Sequence, residues 1–434
     1  MSLTVIGILG LIVLIIIMLL GVPVAFSMAI IGFIGFAYVV SFKAAVSILS
    51  FDFLGIFNSY SLAAICMFVL MGEIAFASGI SVRLYDAGNA ILGRIRGGLA
   101  MASVMAGAGF AAICGSTSAS AAAMGTVAIP QMKRYKYSDR LSSGSVAAAG
   151  TLGILIPPSS TFIVYGILTQ QSIGKLFMAG IIPGIILATL FIITIFIMCR
   201  FNPELGPVGP RTTFNEKISG LIGVIEAFII FGIVIGGLFT GWFTPSQAGG
   251  AGAFCILVVS LIRRTISRKG FAQALRNSVS TSSFVLCLLA GGMVFGRFIA
   301  VSKIPFLVAN WITGLSIPTL AIIAVIFAIH LIGGCFMDAF ALIVITIPIC
   351  FPLIVKLGYD PIWFGVAVVL ICEMAAITPP VGLNVYVIKG VAEDIPLGTI
   401  FRGTYPFVIA LIVCATLITL VPSLTTFLPN MMQY

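Results

Sequence analysis

Charge is what this chain has least of. Only 8% of its 434 residues are Asp, Glu, Lys or Arg, and 61% are hydrophobic. A soluble domain carries about a quarter charged residues, so no water-facing surface can be built from this composition. Histidine occurs once, as His330. A lone histidine is no metal site, and a packed role is expected for it rather than a proton relay. The nine cysteines are scattered through apolar runs without metal-ligand spacing, and read as small packing residues. No HExxH pattern occurs, and Ser116 has no histidine or lysine near it in sequence. A membrane enzyme therefore lacks its working parts, and the chain is read as a non-enzyme. No Lys or Arg precedes Lys43. The first apolar run thus has no charged n-region, and is read as a retained span rather than a cleaved signal peptide.

What is present is a series of long apolar runs, at 3–20, 22–40, 176–199, 218–239, 249–262, 284–300 and 407–420. A helix of about 20 apolar residues crosses roughly 30 Å of hydrocarbon. The fold class is accordingly an all-α integral membrane protein. The net charge of +10 serves orientation in the bilayer, not nucleic-acid binding. Basic residues gather in four groups: Arg83, Arg94 and Arg96; Lys133, Arg134, Lys136 and Arg140; Arg200, Arg211 and Lys217; and Arg263, Arg264, Arg268, Lys269 and Arg276. The positive-inside rule puts all four in the cytoplasm.

That assignment creates a conflict at 97–132, where one crossing's length of apolar sequence has cytoplasmic flanks on both sides. The middle reads Gly115-Ser116-Thr117-Ser118, a poor helix centre. Two half-helices that enter and leave from one face resolve the conflict, with the polar tip buried at mid-membrane depth. A second hairpin is expected over 318–355, around Gly334 and Asp338, with sparsely charged flanks that suggest the opposite face. The remaining spans thread as about ten crossings with both termini outside.

The halves share a register. Ser116 lies 41 residues before Pro157, and Asp338 lies 41 before Pro379. Pro130 follows Ser116 by 14 residues, and Pro352 follows Asp338 by 14. Each of the two prolines opens a Pro-Pro pair, Pro157-Pro158 and Pro379-Pro380. Inverted repeats with paired discontinuous helices are the pattern of secondary transporters that bind at the midplane. Proline frees upstream carbonyls, and sodium ions coordinated by such carbonyls and nearby hydroxyls would satisfy them. A simple kink is the bland reading of one such pair; two matched pairs favour the paired site.

The segments GSTSASAAAMGTVAIPQM (115–132), GTLGILIPPSS (150–160), GGCFMDAFALIVITIPICFPL (333–353) and EMAAITPPVGLNVYVIKGVA (373–392) resemble the large membrane subunit of the tripartite ATP-independent periplasmic (TRAP) transporters, across essentially the whole chain. The resemblance implies a sodium-coupled importer of small organic anions, such as C4-dicarboxylates or sialic acids, working by an elevator motion in a bacterial or archaeal cytoplasmic membrane. It implies two partners, a small four-helix membrane subunit and a periplasmic substrate-binding protein. Beyond the coupling sodium it implies no cofactor. A stand-alone sodium–carboxylate symporter or antiporter of the same superfamily is the alternative.

Carried onto this chain, the resemblance implies one sodium site from Gly115, Ser116, Thr117 and Ser118 with Gly153. A second comes from Gly334, Asp338, Thr378 and Gly382. Substrate contacts are expected from Ser116, Thr117, Ser159, Asp338 and Asn384. Arg297 either meets a substrate carboxylate through its bidentate fork or snorkels to the interface. Glu73 and Glu373 are read as structural partners within the scaffold. The expected layout is scaffold helices over 1–80, an interfacial arm over 81–96, and a first transport half over 97–199 with its broken helix at 141–169. Linker and scaffold helices follow over 200–300. A second arm covers 303–316, and a second transport half 317–434, with its broken helix at 361–390.

Overall fold

A computed structural model of the chain describes residues 2–209, 214–314 and 317–432. Arg211 and the end of the second arm, 315–316, lie outside them. The described residues form α1 (Leu3–Leu19), α2 (Val24–Val39), α3 (Phe42–Phe57), α4 (Ala63–Ala77), α5 (Ile80–Leu92), α6 (Gly98–Cys114), α7 (Thr117–Arg134), α8 (Asp139–Leu155), α9 (Ser160–Thr169) and α10 (Ile173–Phe201). After them come α11 (Phe214–Phe239), α12 (Pro245–Ile262), α13 (Arg268–Val301), α14 (Ile304–Thr313), α15 (Thr319–Gly334), α16 (Ala339–Lys356), α17 (Pro361–Ala376), α18 (Leu383–Val391), α19 (Leu397–Leu420) and α20 (Ser423–Asn430).

Starts are written in the sequence as hydroxyl and carboxylate caps. Ser41, Ser116, Ser159, Ser172 and Ser267 each accept a hydrogen bond from the amide of the third residue on. Thr244 and Gln247 form a reciprocal capping box at the head of α12. Inside a bilayer these caps matter more than in water, since no solvent is present to satisfy an orphan amide.

Eight stretches among the described residues are long and apolar enough to cross a membrane, against the expected ten or so. The difference has a plain origin. Leu3–Leu19 and Val24–Val39 are apolar but short, 17 and 16 residues, while Ala339–Lys356 is long enough yet forms one arm of a hairpin. Large apolar side chains on α1, α3 and α11 remain exposed, among them Ile15, Phe51 and Phe228. Such a surface is stable only against hydrocarbon. The chain is a multi-pass membrane protein.

Two hairpins, α6–α7 and α15–α16, each precede a broken helix, α8–α9 and α17–α18. The two broken helices run antiparallel, as their ends show. Tyr165 near the end of α9 donates its hydroxyl to Pro361 O at 2.7 Å, at the start of α17. At the opposite end Lys133, closing α7, pairs with Asp394 just beyond α18. Arg140, at the start of α8, donates to Arg402 O at 3.1 Å. The two broken helices thus lie antiparallel to one another in the backbone.

The basic groups also converge. The segment after α10 lies on the loop before α6 through Gly97 N to Gly206 O and Gly209 N to Gly93 O, both 2.9 Å. It reaches the start of α8 through Ser138 N to Leu205 O at 3.0 Å. Arg83 on α5 and Arg263 capping α12 share the buried carboxylate of Glu226 on α11, at 2.7 and 2.6 Å.

Candidate functional site

The first tip closes because Gly115 takes a left-handed conformation, φ +64°, which an L side chain resists. Space demands glycine as well: a Cβ there would sit 2.6 Å from Pro158 O. The carbonyl of Gly115 accepts from Ser160 Oγ at 3.1 Å, so the hairpin tip is fastened to the break in its own repeat. A Cβ on Gly153 would lie 2.4 Å from Ser116 O, and that contact fixes how closely α8 carries the tip. The hydroxyls of Ser116 and Ser118 are 3.4 Å apart.

The second tip is built differently. Asp338 caps α16 by accepting from Phe340 N at 3.0 Å. A Cβ on Gly334 would meet Ala375 Cβ at 2.7 Å, so this tip also rides against its broken helix. Thr378 donates to Met374 O at 2.6 Å, and Gly382 turns the chain into α18 at φ +63°.

Near the tips, the two repeats are joined at Thr117. Thr117 Oγ1 has three acceptors within reach: Gly150 O at 3.1 Å, Glu373 Oε2 at 3.2 Å and Asn384 Oδ1 at 3.2 Å. Asn384 Nδ2 in turn donates to Thr117 Oγ1 at 2.9 Å and to Ala147 O at 3.3 Å. All of this is buried, where an unsatisfied polar group is expensive. The network thus welds α18 of the second half onto α7 and α8 of the first.

Two cavities border these tips, and they differ in size. The larger, ≈ 350 Å³, lies between the first tip and scaffold helices α4 and α13. Its polar lining is Glu73, Ser116, Ser118, Ser160 and Thr281, and no cationic side chain reaches it. The smaller, ≈ 10 Å³, is bordered by Thr117, Gly334, Asp338 and Glu373, among others. The first admits a small organic molecule; the second holds about one water-sized particle.

The residues singled out in the sequence divide accordingly. Ser116 and Ser118 line the large cavity; Thr117, Gly334 and Asp338 line the small one. Gly115 and Gly153 shape the first tip from behind. Thr378 and Gly382 flank the second break without bordering the small cavity. Ser159 is fully buried and caps α9, accepting from Phe162 N at 3.2 Å. Its neighbour Ser160 is the hydroxyl that faces the cavity. Asn384 spends its amide on Thr117 and Ala147. Arg297 neither borders the cavities nor stands free at an interface. It forks onto buried Asp52 of α3 through Nε and Nη2 at 2.6 to 3.0 Å. His330 is packed inside the second hairpin, with Nδ1 2.8 Å from Ile326 O and Nε2 2.9 Å from Thr346 Oγ1.

Glu73 and Glu373 stand closer to the site than the sequence reading allowed. Glu73 borders the large cavity while accepting from Asn277 Nδ2 at 3.0 Å, and Glu373 borders the small one. The signal for Glu373 was available: a carboxylate six residues before a Pro-Pro break, in an apolar helix, is costly enough to demand a function.

Antiparallel broken helices, each preceded by a hairpin whose tip borders a cavity, are the arrangement expected of a membrane transporter. The fold has a solved counterpart in the YdaH transporter of Alcanivorax borkumensis, with TM-score 0.62 over 87% of this chain and 88% of that one, at 14% identity. The class narrows to a family by sequence. Residues 11–424 match the model of the tripartite ATP-independent periplasmic transporter, DctM component. The chain belongs to this family and is a TRAP transporter large subunit. Among its relatives, the C4-dicarboxylate TRAP transporter large permease DctM of Pseudomonas aeruginosa is 36% identical over 86% of each chain. The sialic acid TRAP transporter large permease SiaM of Vibrio cholerae is 29% identical over 95% of each.

Proposed function

We propose that this permease imports a small organic anion, a C4-dicarboxylate, sialic acid or related carboxylate, driven by sodium. The anion is handed over by a periplasmic binding protein, and a small four-helix membrane subunit supports the scaffold. The protein sits in the cytoplasmic membrane of a bacterium or archaeon, with its basic end inside and both termini outside. The observation that carries this reading is the ≈ 350 Å³ cavity bounded on one side by a hairpin tip and on the other by α4 and α13.

The chemistry follows from what lines that cavity. With no cationic side chain there, a substrate carboxylate is received by the amino end of α7 and the hydroxyls of Ser116, Ser118 and Ser160. A helix amino end offers free amides and a positive dipole end to an anion. Sodium held at the tips adds the missing positive charge, so ion and anion bind cooperatively. Oxygen donors suit sodium here, because Asp338 and the orphaned carboxylate oxygen of Glu373 border one small space. The segment that moves comprises the hairpins and broken helices, and the arms α5 and α14 connect it to the scaffold in an elevator-type exchange of access.

The test is reconstitution of the chain in liposomes with and without the small subunit and binding protein. Sodium-driven accumulation is expected only with both partners. Uptake of free substrate by the chain alone would overturn the tripartite reading in favour of a stand-alone symporter.

A further inference from the structure

At the end of the molecule remote from the basic groups, two lysines share one cleft with no carboxylate to balance them. Lys303 follows α13, whose first residue, Arg268, belongs to the densest basic group. The 34 residues of α13, rising about 1.5 Å each, are long enough to cross the bilayer, so Lys303 lies beyond it. Lys356 closes α16, just before the turn into Pro361 that receives Tyr165 at the same end. Between the arm α14 and the hairpin helix α16 lies a cleft of ≈ 400 Å³, bordered by both lysines, Asn310, Phe306, Pro348 and Pro352 among others.

The charge of this cleft is uncompensated. Between residues 301 and 359 the only acidic side chain is Asp338, at the distant tip of the hairpin. Asp360 spends its carboxylate on the amides of Ile362 and Trp363, at 2.7 and 3.0 Å. Neither lysine takes part in the ion pairs among the described residues. Lys356 donates to Asn310 Oδ1, a neutral acceptor that leaves its charge standing.

We propose that the cleft seats one anionic phospholipid, its phosphate between Lys303 and Lys356 and an acyl chain along the proline face of α16. The inference needs only the membrane setting and is independent of the transport reading. The order of groups with depth matches a lipid. The cations stand at helix ends, where headgroups lie, and Pro352 and Pro348 follow one and two turns deeper on α16. Phe306 and Trp311 of α14 are 65% and 68% exposed beside it, aromatics of the kind that settle at a membrane interface. A zwitterionic headgroup would bring a third cation against the two lysines. An anionic one gains about fivefold from each basic side chain at the surface. Lys303 heads the arm and Lys356 ends the hairpin, so a single phosphate fastens one to the other.

The experiment places the purified full-length chain in nanodiscs of equal phosphatidylglycerol and phosphatidylcholine. The chain is then moved to mild detergent, and its retained lipids are counted by native mass spectrometry. The wild type is expected to keep one phosphatidylglycerol in preference to phosphatidylcholine. Lys303→Gln combined with Lys356→Gln is expected to lower that preference by about tenfold to thirtyfold. Arg268→Gln combined with Lys269→Gln, at the opposite end, is expected to keep it; an equal loss there would reduce the effect to general surface charge and overturn the site. Should the double lysine variant fail to fold, Ala300→Trp fills the cleft with both charges in place and is expected to expel the lipid. Wild-type retention in whichever variant folds overturns the proposal. Glycerophosphoglycerol, the headgroup without chains, is expected not to displace the lipid, and displacement would give the cleft to a free phosphate ester instead. Unchanged lipid retention in the lysine variant, with loss of uptake driven by the binding protein, would assign the lysines to a protein contact and overturn the lipid site.

Discussion

The two tips perform the same turn with different attachments. At the first, the chain is held by its own repeat: Ser160 bonds Gly115 O, and Gly153 presses on Ser116. The break behind it, 153–160, is wholly buried. At the second, among the described residues, no hydrogen bond runs from 335–338 to the broken helix, and Phe336, Pro380 and Val381 are exposed. The second broken helix takes polar anchors from the other repeat through Asn384 and Glu373, besides those to α19 of its own half through Thr404 on Ile377 O and Trp363 on Ile418 O. One tip is thus built into a block, and the other rests on that block's edge. The first tip turns at an uncharged serine, whereas the second carries the carboxylate of Asp338. Duplicated backbones can therefore differ in attachment, one tip hydrogen-bonded to its own broken helix and the other resting on it by packing.

The largest test of that difference is Asp338→Asn. Sodium-driven uptake by the reconstituted complex is expected to fall by about a hundredfold or more, with the melting temperature in choline unchanged; undiminished uptake would remove Asp338 from the site. Next, hydrogen exchange across 335–342 is expected to outpace that across 115–122 by about tenfold, as loosely bonded segments open more often. Equal rates would erase the contrast between the two tips.

Stability comparisons sharpen it further. Gly115→Ala meets both a left-handed backbone and a carbonyl wall, and should cost about 2–4 kcal/mol. Gly334→Ala meets only the Ala375 methyl, and should cost roughly 1–2 kcal/mol. Thermal melting of the two variants checks the order. Thr117→Val takes the hydroxyl from Asn384 and Glu373, a loss of about 1–3 kcal/mol, whereas Thr378→Val removes a bond back onto the end of α17 and should cost less than half as much.

The smallest effect belongs to the exposed pair of Lys133 and Asp394. Hydrogen bonding to Lys133 holds the Asp394 carboxyl below its ordinary value of 3.8. A depressed carboxyl contributes stability above its unfolded value and loses it as pH falls through the folded one. Wild type and Asp394→Asn should therefore differ slightly in melting temperature at neutral pH and converge below pH 3.8. A gap that persists in acid would assign the difference to something other than this charge.

The tips and breaks were legible because they rest on local chemistry. Ser116 and Asp338 are helix caps, Pro157 and Pro379 interrupt ladders, and basic flanks betray a hairpin that returns to its own side. What stayed hidden depends on which helix faces which. Arg297 looked available to a substrate because nothing in sequence ties it to Asp52, 245 residues away. Ser159 and Ser160 look interchangeable on paper, yet capping consumes the first and leaves the second to the cavity. Asn384 and Glu373 acquire their meaning from Thr117, which only the packing of one repeat on the other supplies.

The pairing of Asp338 with Glu373 beside one small cavity also has an electrical side. On the sodium reading proposed above, the segment that returns empty carries a different net charge through the low-dielectric layer from the one loaded with sodium and anion. A potential of 100 mV acts on each elementary charge with about 2.3 kcal/mol. Voltage thus acts unequally on the two journeys, and it can set which of them limits the turnover.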